Sequence, residues 1–292
     1  MTLSPRTSRR AVIAGCGFVG LATARALHRA GWEVLGCTHS EDSARALATE
    51  PFSVRAADLT DPAALGALHD WRECDAVIHC ASSGRGGADA YRSVYLQGTR
   101  NLLAVLAPRM LLFTSSTSVY AQNTGEWVTE ESLAKPDRET GRILRETEEL
   151  VLAHRGCIAR LAGIYGPARS VLLRKFFSGE AVIEGDGGRW INQVHRDDIA
   201  TALSLLVEAG ATGVFNVTDD TPLTQREIYA WLAARFERPL PPSGPVDTNR
   251  KRGVTSKRVS NARLRTLGWT PKYPSFRDAV MNDPELVAAL GL

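Results

Sequence analysis

Lysine is scarce in this chain of 292 residues, because only five of its 35 basic residues are lysines. They stand at Lys135, Lys175, Lys251, Lys257 and Lys272. Codon bias in a GC-rich genome explains such scarcity without reference to function. It nevertheless leaves few positions for a catalytic lysine.

Other patterns are missing altogether, and each absence excludes a class of protein. The five cysteines include no C-x-x-C pair, and the six histidines include no H-x-H or H-x-x-x-H spacing, so no metal site or disulfide scaffold is predicted. No apolar run reaches the ~18 residues of a membrane span. A net charge of +3 without aromatic interleaving predicts no nucleic-acid partner. Unpaired thiols are typical of reduced cytoplasmic proteins, so a cytoplasmic location is expected.

Short apolar runs alternate with helix-length amphipathic stretches through the first 160 residues. This alternation predicts an α/β fold with a parallel sheet that is covered on both faces. In the second half this alternation ends, and prolines cluster from Pro239 to Pro245. We therefore predict a dinucleotide-binding domain over residues 1–160 and a smaller cap over 161–292. One later strand, Gly213–Val217, is expected to return to the sheet. The other predicted strands are Ala11–Ala14, Glu33–Cys37, Ser53–Ala56, Ala76–Cys80, Met110–Thr114 and Cys157–Leu161.

A glycine-rich turn follows the first predicted strand and opens the first predicted helix. It reads Gly15-Cys16-Gly17-Phe18-Val19-Gly20, which matches the G-x-G-x-x-G pattern. In that context the first glycine permits a tight turn and the second lets a pyrophosphate approach the backbone. The third allows the helix to pack closely on the strand, and the helix N-terminus favours the phosphates. The turn therefore predicts a Rossmann dinucleotide site, although a glycine turn without a ligand is the alternative.

The end of the second strand indicates which dinucleotide is preferred. It reads Thr38-His39-Ser40, and no carboxylate follows until Glu41. An acid at this point would bind a ribose 2′-hydroxyl, whereas hydroxyls and an imidazole can accommodate a 2′-phosphate. NADP is therefore predicted, with NAD as the alternative. Asp58, after the third strand, is predicted either to meet the adenine amino group or to cap the next helix.

The order of motifs along the chain resembles the extended short-chain dehydrogenase/reductase family, in its epimerase/dehydratase-like branch. The likeness covers nearly the whole chain and goes beyond the glycine turn. It rests on these further segments: Asp58-Leu59-Thr60, Val77-Ile78-His79-Cys80-Ala81, Gly98-Thr99-Arg100-Asn101-Leu102-Leu103, Ser115-Ser116-Thr117-Ser118-Val119-Tyr120, Arg160-Leu161-Ala162-Gly163-Ile164-Tyr165-Gly166-Pro167, Asn192-Gln193-Val194-His195-Arg196-Asp197-Asp198-Ile199 and Phe215-Asn216-Val217.

The resemblance implies a doubly wound NAD(P)-binding domain and a C-terminal domain for a small carbonyl, alcohol or nucleotide-sugar-like substrate. It implies a monomer or a homodimer, with Ser116 binding the substrate oxygen and Asn101 in a structural role. Together with the turn, it implies a cofactor site formed by Gly15, Gly17, Phe18, Val19, Gly20, Thr38, His39, Ser40, Asp58, Leu59, Ala81, Leu161 and Gly163.

The chain departs from this family at the Tyr-x-x-x-Lys pair, in which tyrosine transfers a proton and lysine lowers its pKa. Registered on the proline and on the distance from Ser116, the positions hold Thr140 and Leu144. No tyrosine anywhere in the chain has a lysine four residues later. Arg142 and Arg145 could hold ribose or phosphate, or could form a solvated helix face.

Tyr120 is the first candidate for the missing proton chemistry, because it stands four residues beyond Ser116. Packing beneath the cap is its alternative, and Tyr165 and His195 are weaker candidates. The basic segments Arg250–Arg252 and Lys257-Arg258 could meet an anionic substrate or could be a solvated loop. The sequence thus predicts an NADP-dependent oxidoreductase, with a non-catalytic dinucleotide sensor as the alternative.

Overall fold

The computed structural model describes residues 8–84, 86–247 and 255–288. Its strands, in chain order, are β1 (Arg10–Ala14), β2 (Glu33–Thr38), β3 (Ser53–Ala56), β4 (Ala76–His79), β5 (Met110–Ser116), β6 (Trp127–Val128), β7 (Cys157–Leu161), β8 (Gly163–Tyr165), β9 (Ile183–Glu184), β10 (Trp190–Ile191), β11 (Gln193–His195), β12 (Gly213–Val217), β13 (Leu223–Thr224), β14 (Ser243–Gly244) and β15 (Arg258–Val259).

The helices alternate with these strands over the first half of the chain. They are α1 (Phe18–Arg29), α2 (Glu41–Ala46), α3 (Pro62–Gly66), α4 (Ala88–Tyr91), α5 (Gly98–Leu106), α6 (Glu139–Ala153), α7 (Val171–Phe177), α8 (Arg196–Glu208), α9 (Gln225–Arg235), α10 (Ala262–Thr266), α11 (Phe276–Asn282) and α12 (Pro284–Ala288). A π-helical stretch, Arg92–Gln97, joins α4 to α5, and 3₁₀ turns cover His69–Trp71 and Thr117–Val119.

Seven strands form the central sheet in the order β12-β7-β5-β4-β1-β2-β3. β1 pairs in parallel with both β2 and β4, so the chain moves outward to β3 and then returns to the other side of β1. Ligands bind at such a reversal of strand order in doubly wound sheets, beyond the carboxyl ends of the strands. The glycine turn follows β1 and therefore lies at this switch point.

The inner strands of the sheet are buried, as expected of a parallel sheet with helices on its faces. All five residues of β1 and all four of β4 are buried. The predicted α/β fold with a doubly wound sheet is confirmed, and each of the seven predicted strands corresponds to a strand of this sheet within two residues at either end.

The structure divides into two compact units. The first contains the chain up to Ser115, Glu139–Ala159 and Ile199–Val214. The second contains Ser116–Arg138, Arg160–Asp198 and the chain from Phe215 onward. The second unit has its own apolar core, in which Tyr165, Phe176, Tyr229 and Phe276 are among the buried aromatic residues. No helix of the described residues is both long and apolar enough to cross a membrane.

Candidate dinucleotide site and catalytic residues

The glycine turn of the first unit is held by the end of β2. The amides of Gly15 and Cys16 both donate to the carbonyl oxygen of Cys37, at 3.1 and 2.7 Å. The amide of Gly17 donates back to the Gly15 oxygen at 2.9 Å, and the amide of Leu21 donates to the Gly17 oxygen to start α1. Backbone hydrogen bonds thus fix the conformation of the turn.

Two of the three glycines are required by the fold itself. Gly15 has a φ of +96°, and a Cβ on it would lie 2.3 Å from the backbone nitrogen of Ala81. A Cβ on Gly20 would lie 2.1 Å from the carbonyl oxygen of Gly15. Real Cβ atoms do not come so close to backbone atoms, so both positions exclude every larger residue. Ala81, predicted as a cofactor residue, therefore contacts the turn at the switch point.

Gly17 differs from the other two glycines because its missing side chain leaves open space. A Cβ built on Gly17 would meet no described atom within 4 Å. Gly17 is also the N-cap of α1, and among the described residues no side chain caps this helix and no acid lies in its first turn. Phe18 begins the helix and Val19 is buried beneath it. An open approach to a helix N-terminus that is free of acids fits a pyrophosphate.

Thr38, the last residue of β2, and the two residues after it differ in how far they face solvent. Thr38 is 7% exposed, and its hydroxyl donates to the carbonyl oxygen of Ser40 at 3.1 Å. Ser40 caps α2 by accepting from the amide of Ser43, while its own hydroxyl donates to the Ser43 hydroxyl or accepts from it at 3.0 Å. His39 is the accessible member, because its side chain is 82% exposed.

Asp58 closes the turn after β3 and does not cap α3. Its Oδ1 accepts from the amide and the hydroxyl of Thr60, both at 2.8 Å, whereas Asp61 caps the helix. Partial burial raises the pKa of Asp58, but the Thr60 hydrogen bonds and His39 outweigh it and lower the pKa below 3.8. His39 Nδ1 lies 3.8 Å from Asp58 Oδ2. The structure thus brings the predicted ribose and adenine residues together.

Leu59, which follows Asp58, is hydrogen-bonded to Asn101 of α5. Leu59 is 7% exposed, and its carbonyl oxygen accepts from Asn101 Nδ2 at 2.8 Å. Asn101 in turn accepts from Gln97 Nε2 through its Oδ1. The amide of Asn101 therefore ties α5 to the loop after β3, as its implied structural role requires.

Helix α6 carries Thr140 and Leu144, the two residues that the predicted register places where the resembled family has tyrosine and lysine. Leu144 is 4% exposed and packs inside the first unit, and Thr140 is half-buried. One turn later, Glu148 is completely buried and accepts from the Ser115 hydroxyl at 2.6 Å. Arg145 forms ion pairs with Glu148 and Glu149. These contacts give Arg145 partners within α6 itself.

Ser116 is the last residue of β5 and belongs to the second unit. It is 9% exposed and caps the 3₁₀ turn that follows it, since its Oγ accepts from the amide of Ser118 at 3.2 Å. Among the described residues, no acceptor takes the proton of the Ser116 hydroxyl. The hydroxyl therefore keeps a proton with which it can bind an oxygen atom.

Tyr120, at the far end of that turn, has its hydroxyl fully engaged. The side chain is 0% exposed, and its Oη donates to Asn216 Oδ1 at 2.9 Å and accepts from Arg160 Nη1 at 2.8 Å. The Arg160 guanidinium also lies over the ring, 4.8 Å from its centroid. Burial raises the pKa of Tyr120 although Arg160 opposes the shift. The phenol is thus an anchored core group.

The remaining candidates lie elsewhere in the second unit. Leu161 is 5% exposed, and Gly163 passes so close to Asn192 that a Cβ would lie 2.9 Å from its carbonyl oxygen. His195 is buried, accepts from the Asp197 amide and pairs with Asp283 through Nε2 at 3.1 Å. The Tyr165 hydroxyl is buried, and it has no hydrogen-bond partner in the described part of the chain.

The structure describes one of the two basic segments, Lys257-Arg258. Arg250–Arg252 lie outside the described residues. Arg258 stacks between the rings of Trp127 and Trp190, at 5.2 and 4.9 Å from their centroids. Lys257 is 4% exposed, so the solvated alternative is wrong for this residue. Sequence reasoning missed its burial, although the two-residue alternation of Lys257 with the apolar Val259 was a signal for it.

This chain is similar in sequence to a known protein family and to a protein of Escherichia coli. The sequence model of the NAD dependent epimerase/dehydratase family matches residues 11–218. Protein YeeZ of Escherichia coli K12 is 30% identical over 281 residues, which cover 91% of this chain and 97% of that protein.

Two solved structures extend the likeness to the fold. A protein of Methylobacillus flagellatus, provisionally described as an NAD-dependent epimerase/dehydratase, is 30% identical with a TM-score of 0.79, covering 98% of this chain and 100% of its own. The Thermus thermophilus UDP-glucose 4-epimerase in complex with NAD is 20% identical with a TM-score of 0.80, covering 97% and 99%. At that identity the second structure is similar in fold alone.

Proposed function

The chain belongs to the NAD dependent epimerase/dehydratase family, and from this we propose that it is an NADP-dependent oxidoreductase. Its substrate would be a small carbonyl or alcohol compound, or one that resembles a nucleotide sugar. The open space over Gly17 at the start of α1 carries the proposal. A dinucleotide pyrophosphate would lie there, and the Gly15–Gly20 backbone would hold it.

The preference for NADP is supported by the end of β2. His39 and Ser40 are exposed there, and both can hydrogen-bond a 2′-phosphate, whereas no carboxylate stands at this position to bind a free 2′-hydroxyl. His39→Asp would place a carboxylate at the end of β2. We expect this variant to bind NADPH about tenfold more weakly or worse and to favour NADH, since the new charge repels the phosphate.

When bound, the nicotinamide would supply or accept the hydride. The protein itself would orient the substrate oxygen, and Ser116 is the residue proposed to donate a hydrogen bond to it. The Oγ of Ser116 already accepts from Ser118, so its direction is set while its own proton remains for the substrate. A hydrogen bond that strengthens as charge develops on this oxygen would lower the barrier.

Tyr120 is less suited to transfer the proton. Its proton is directed at Asn216, and its burial raises its pKa. Proton donation by Tyr120 would first require the Asn216 bond to break. Water or another side chain is therefore the proposed proton source, and Tyr120 is proposed to keep the turn after Ser116 in place.

A dinucleotide-binding sensor without turnover is the second candidate function. The composition of α6 supports it, because a buried leucine and a threonine stand where this family has its lysine and tyrosine in the predicted register. Neither side chain can transfer a proton near neutral pH. Such a protein would bind one dinucleotide and report it to a partner.

Oxidation of NADPH across a panel of carbonyl compounds separates the two functions. An oxidoreductase turns over at least one substrate and loses most of that rate in Ser116→Ala. Ser178→Ala, at an exposed serine of the same unit, is the matched control and should keep the rate. Binding without turnover on any compound would favour the sensor. An unimpaired Ser116→Ala variant would contradict the role given to Ser116.

A further inference from the structure

One lysine in the second unit is buried without a carboxylate partner. Of the four lysines in the described part of the chain, only Lys257 is buried, whereas Lys135, Lys175 and Lys272 are exposed. None of the described acids lies within ion-pair distance of Lys257. Burial of an ammonium group without such a partner costs free energy, so a residue of this kind in a core calls for a specific use.

The contacts of Lys257 show what its amine holds. Nζ donates to the carbonyl oxygen of Tyr120 at 2.9 Å and makes a second bond of 2.9 Å to the Thr255 hydroxyl. Burial lowers the pKa of Lys257 to about 8, and Glu126 opposes the shift only weakly. The Tyr120 bond joins residues 137 positions apart in the chain. It is therefore a tertiary contact and not a local turn.

The residue that Lys257 holds is the end of the turn that begins at Ser116. The Ser116 hydroxyl accepts from the Ser118 amide, and the Tyr120 amide donates to the Thr117 oxygen at 3.2 Å. These bonds make Ser116–Tyr120 one short, internally bonded unit. A bond that fixes the Tyr120 carbonyl group therefore fixes one end of the segment that begins at Ser116.

Two independent anchors fix Tyr120, one on its side chain and one on its backbone. Arg160 and Asn216 hold the hydroxyl, and Lys257 holds the carbonyl oxygen. Bonds to the hydroxyl alone leave the peptide group after Tyr120 able to tilt. The bond to the carbonyl removes this freedom, so the peptide plane after the turn is set by Lys257.

We propose that Lys257 is a positioning residue, which holds the Ser116–Tyr120 turn by its bond to the Tyr120 carbonyl oxygen and thereby keeps the Ser116 hydroxyl in its direction. The use of this direction in catalysis rests on the function proposed above for Ser116. The bond from Lys257 to the Tyr120 carbonyl oxygen does not depend on that function, because both residues lie within the second unit. The chain thus uses a lysine near β15, far along the sequence, to secure the turn that carries Ser116.

Amide hydrogen exchange in the full chain tests whether Lys257 restrains the Ser116–Tyr120 turn. Lys257→Met keeps the length and most of the volume of the side chain but removes the donor. We expect the amides of Ser118 and Tyr120 to exchange about tenfold faster or more, the factor expected from the loss of one such bond. Lys175→Met, at an exposed lysine of α7, should leave them unchanged. Unchanged exchange in Lys257→Met would overturn the proposal, since packing alone would then hold the turn.

Kinetics on any substrate that the wild-type protein turns over test the consequence for Ser116. Lys257→Met should lower kcat about tenfold and change KM less than twofold. In the Ser116→Ala background it should have little further effect, because the hydroxyl that it orients is gone. Fully additive losses would contradict the positioning role. If no substrate is turned over, the function proposed for Ser116 fails, while hydrogen exchange still decides whether Lys257 holds the turn.

Discussion

The burial of Lys257 makes a quantitative prediction about the pH dependence of stability. Its pKa is about 8 in the folded protein, against an ordinary value of 10.5. Between these two values the unfolded chain keeps the proton and the folded chain releases it. The free energy of unfolding therefore rises with pH across this window and stays flat below it, as far as Lys257 is concerned.

The size of this effect follows from the two pKa values. Each pH unit inside the window contributes about 1.4 kcal/mol, so the contribution of Lys257 should grow by about 2 kcal/mol between pH 7.5 and 9.5. Because Lys257 is 4% exposed, solvent screens this contribution very little. Lys257→Met cannot titrate and lacks the contribution altogether.

Urea unfolding followed by tryptophan fluorescence measures this difference. Other groups titrate in the same range, but they are common to both proteins and cancel in the difference between wild type and Lys257→Met. Lys175→Met is the control, and its difference from the wild type should not change with pH. A Lys257→Met difference that stays constant between pH 7.5 and 9.5 would show that the Lys257 amine is hydrated, and would refute the reasoning.

Three other positions give further predictions about stability. Gly15→Ala should lower the melting temperature in thermal unfolding, because strain of about 1–3 kcal/mol follows from its φ of +96° and from the contact with Ala81. Glu148→Ala should lower the free energy of unfolding in urea by about 3 kcal/mol, since it removes the buried acceptor of the Ser115 hydroxyl and leaves Arg145 with Glu149 alone, and Glu148→Gln should cost less. Burial raises the pKa of Asp219 well above 3.8. The contribution of Asp219 to stability therefore falls as pH rises above 3.8, and Asp219→Asn should gain on the wild type in urea unfolding as the pH is raised from 4; a pH-independent difference would contradict this.

The fold could be predicted from the sequence because its signals are local. Most of the sheet strands are short apolar runs, and the positive φ of Gly15 and the close backbone contact at Gly20 require glycine in the turn. Hydrophobic periodicity and turn chemistry decide such features within about ten residues of chain. The prediction of a parallel sheet covered on both faces needed no more than this, whereas its doubly wound order was implied by the family resemblance.

The contacts in the second unit could not be predicted because they join distant segments. Tyr120 stood out as a phenol near Ser116, but its partners Arg160 and Asn216 are 40 and 96 positions away. Lys257 read as part of a basic segment, and its burial depends on a carbonyl group 137 positions earlier. No local pattern specifies such pairs, so proximity in sequence suggested a proton donor where the structure has an anchored side chain.

Calorimetric titration of the full chain with NADPH and with NADH tests the central claim most directly, and Gly17→Ala is the informative variant. An added Cβ at Gly17 meets no atom of the described residues within 4 Å, so the variant should fold normally and lose affinity only where a bound pyrophosphate would occupy that space. We expect the wild type to bind NADPH more tightly than NADH, and Gly17→Ala to bind about tenfold more weakly or worse. No binding of either dinucleotide by the wild type, or equal affinity in Gly17→Ala, would contradict the account.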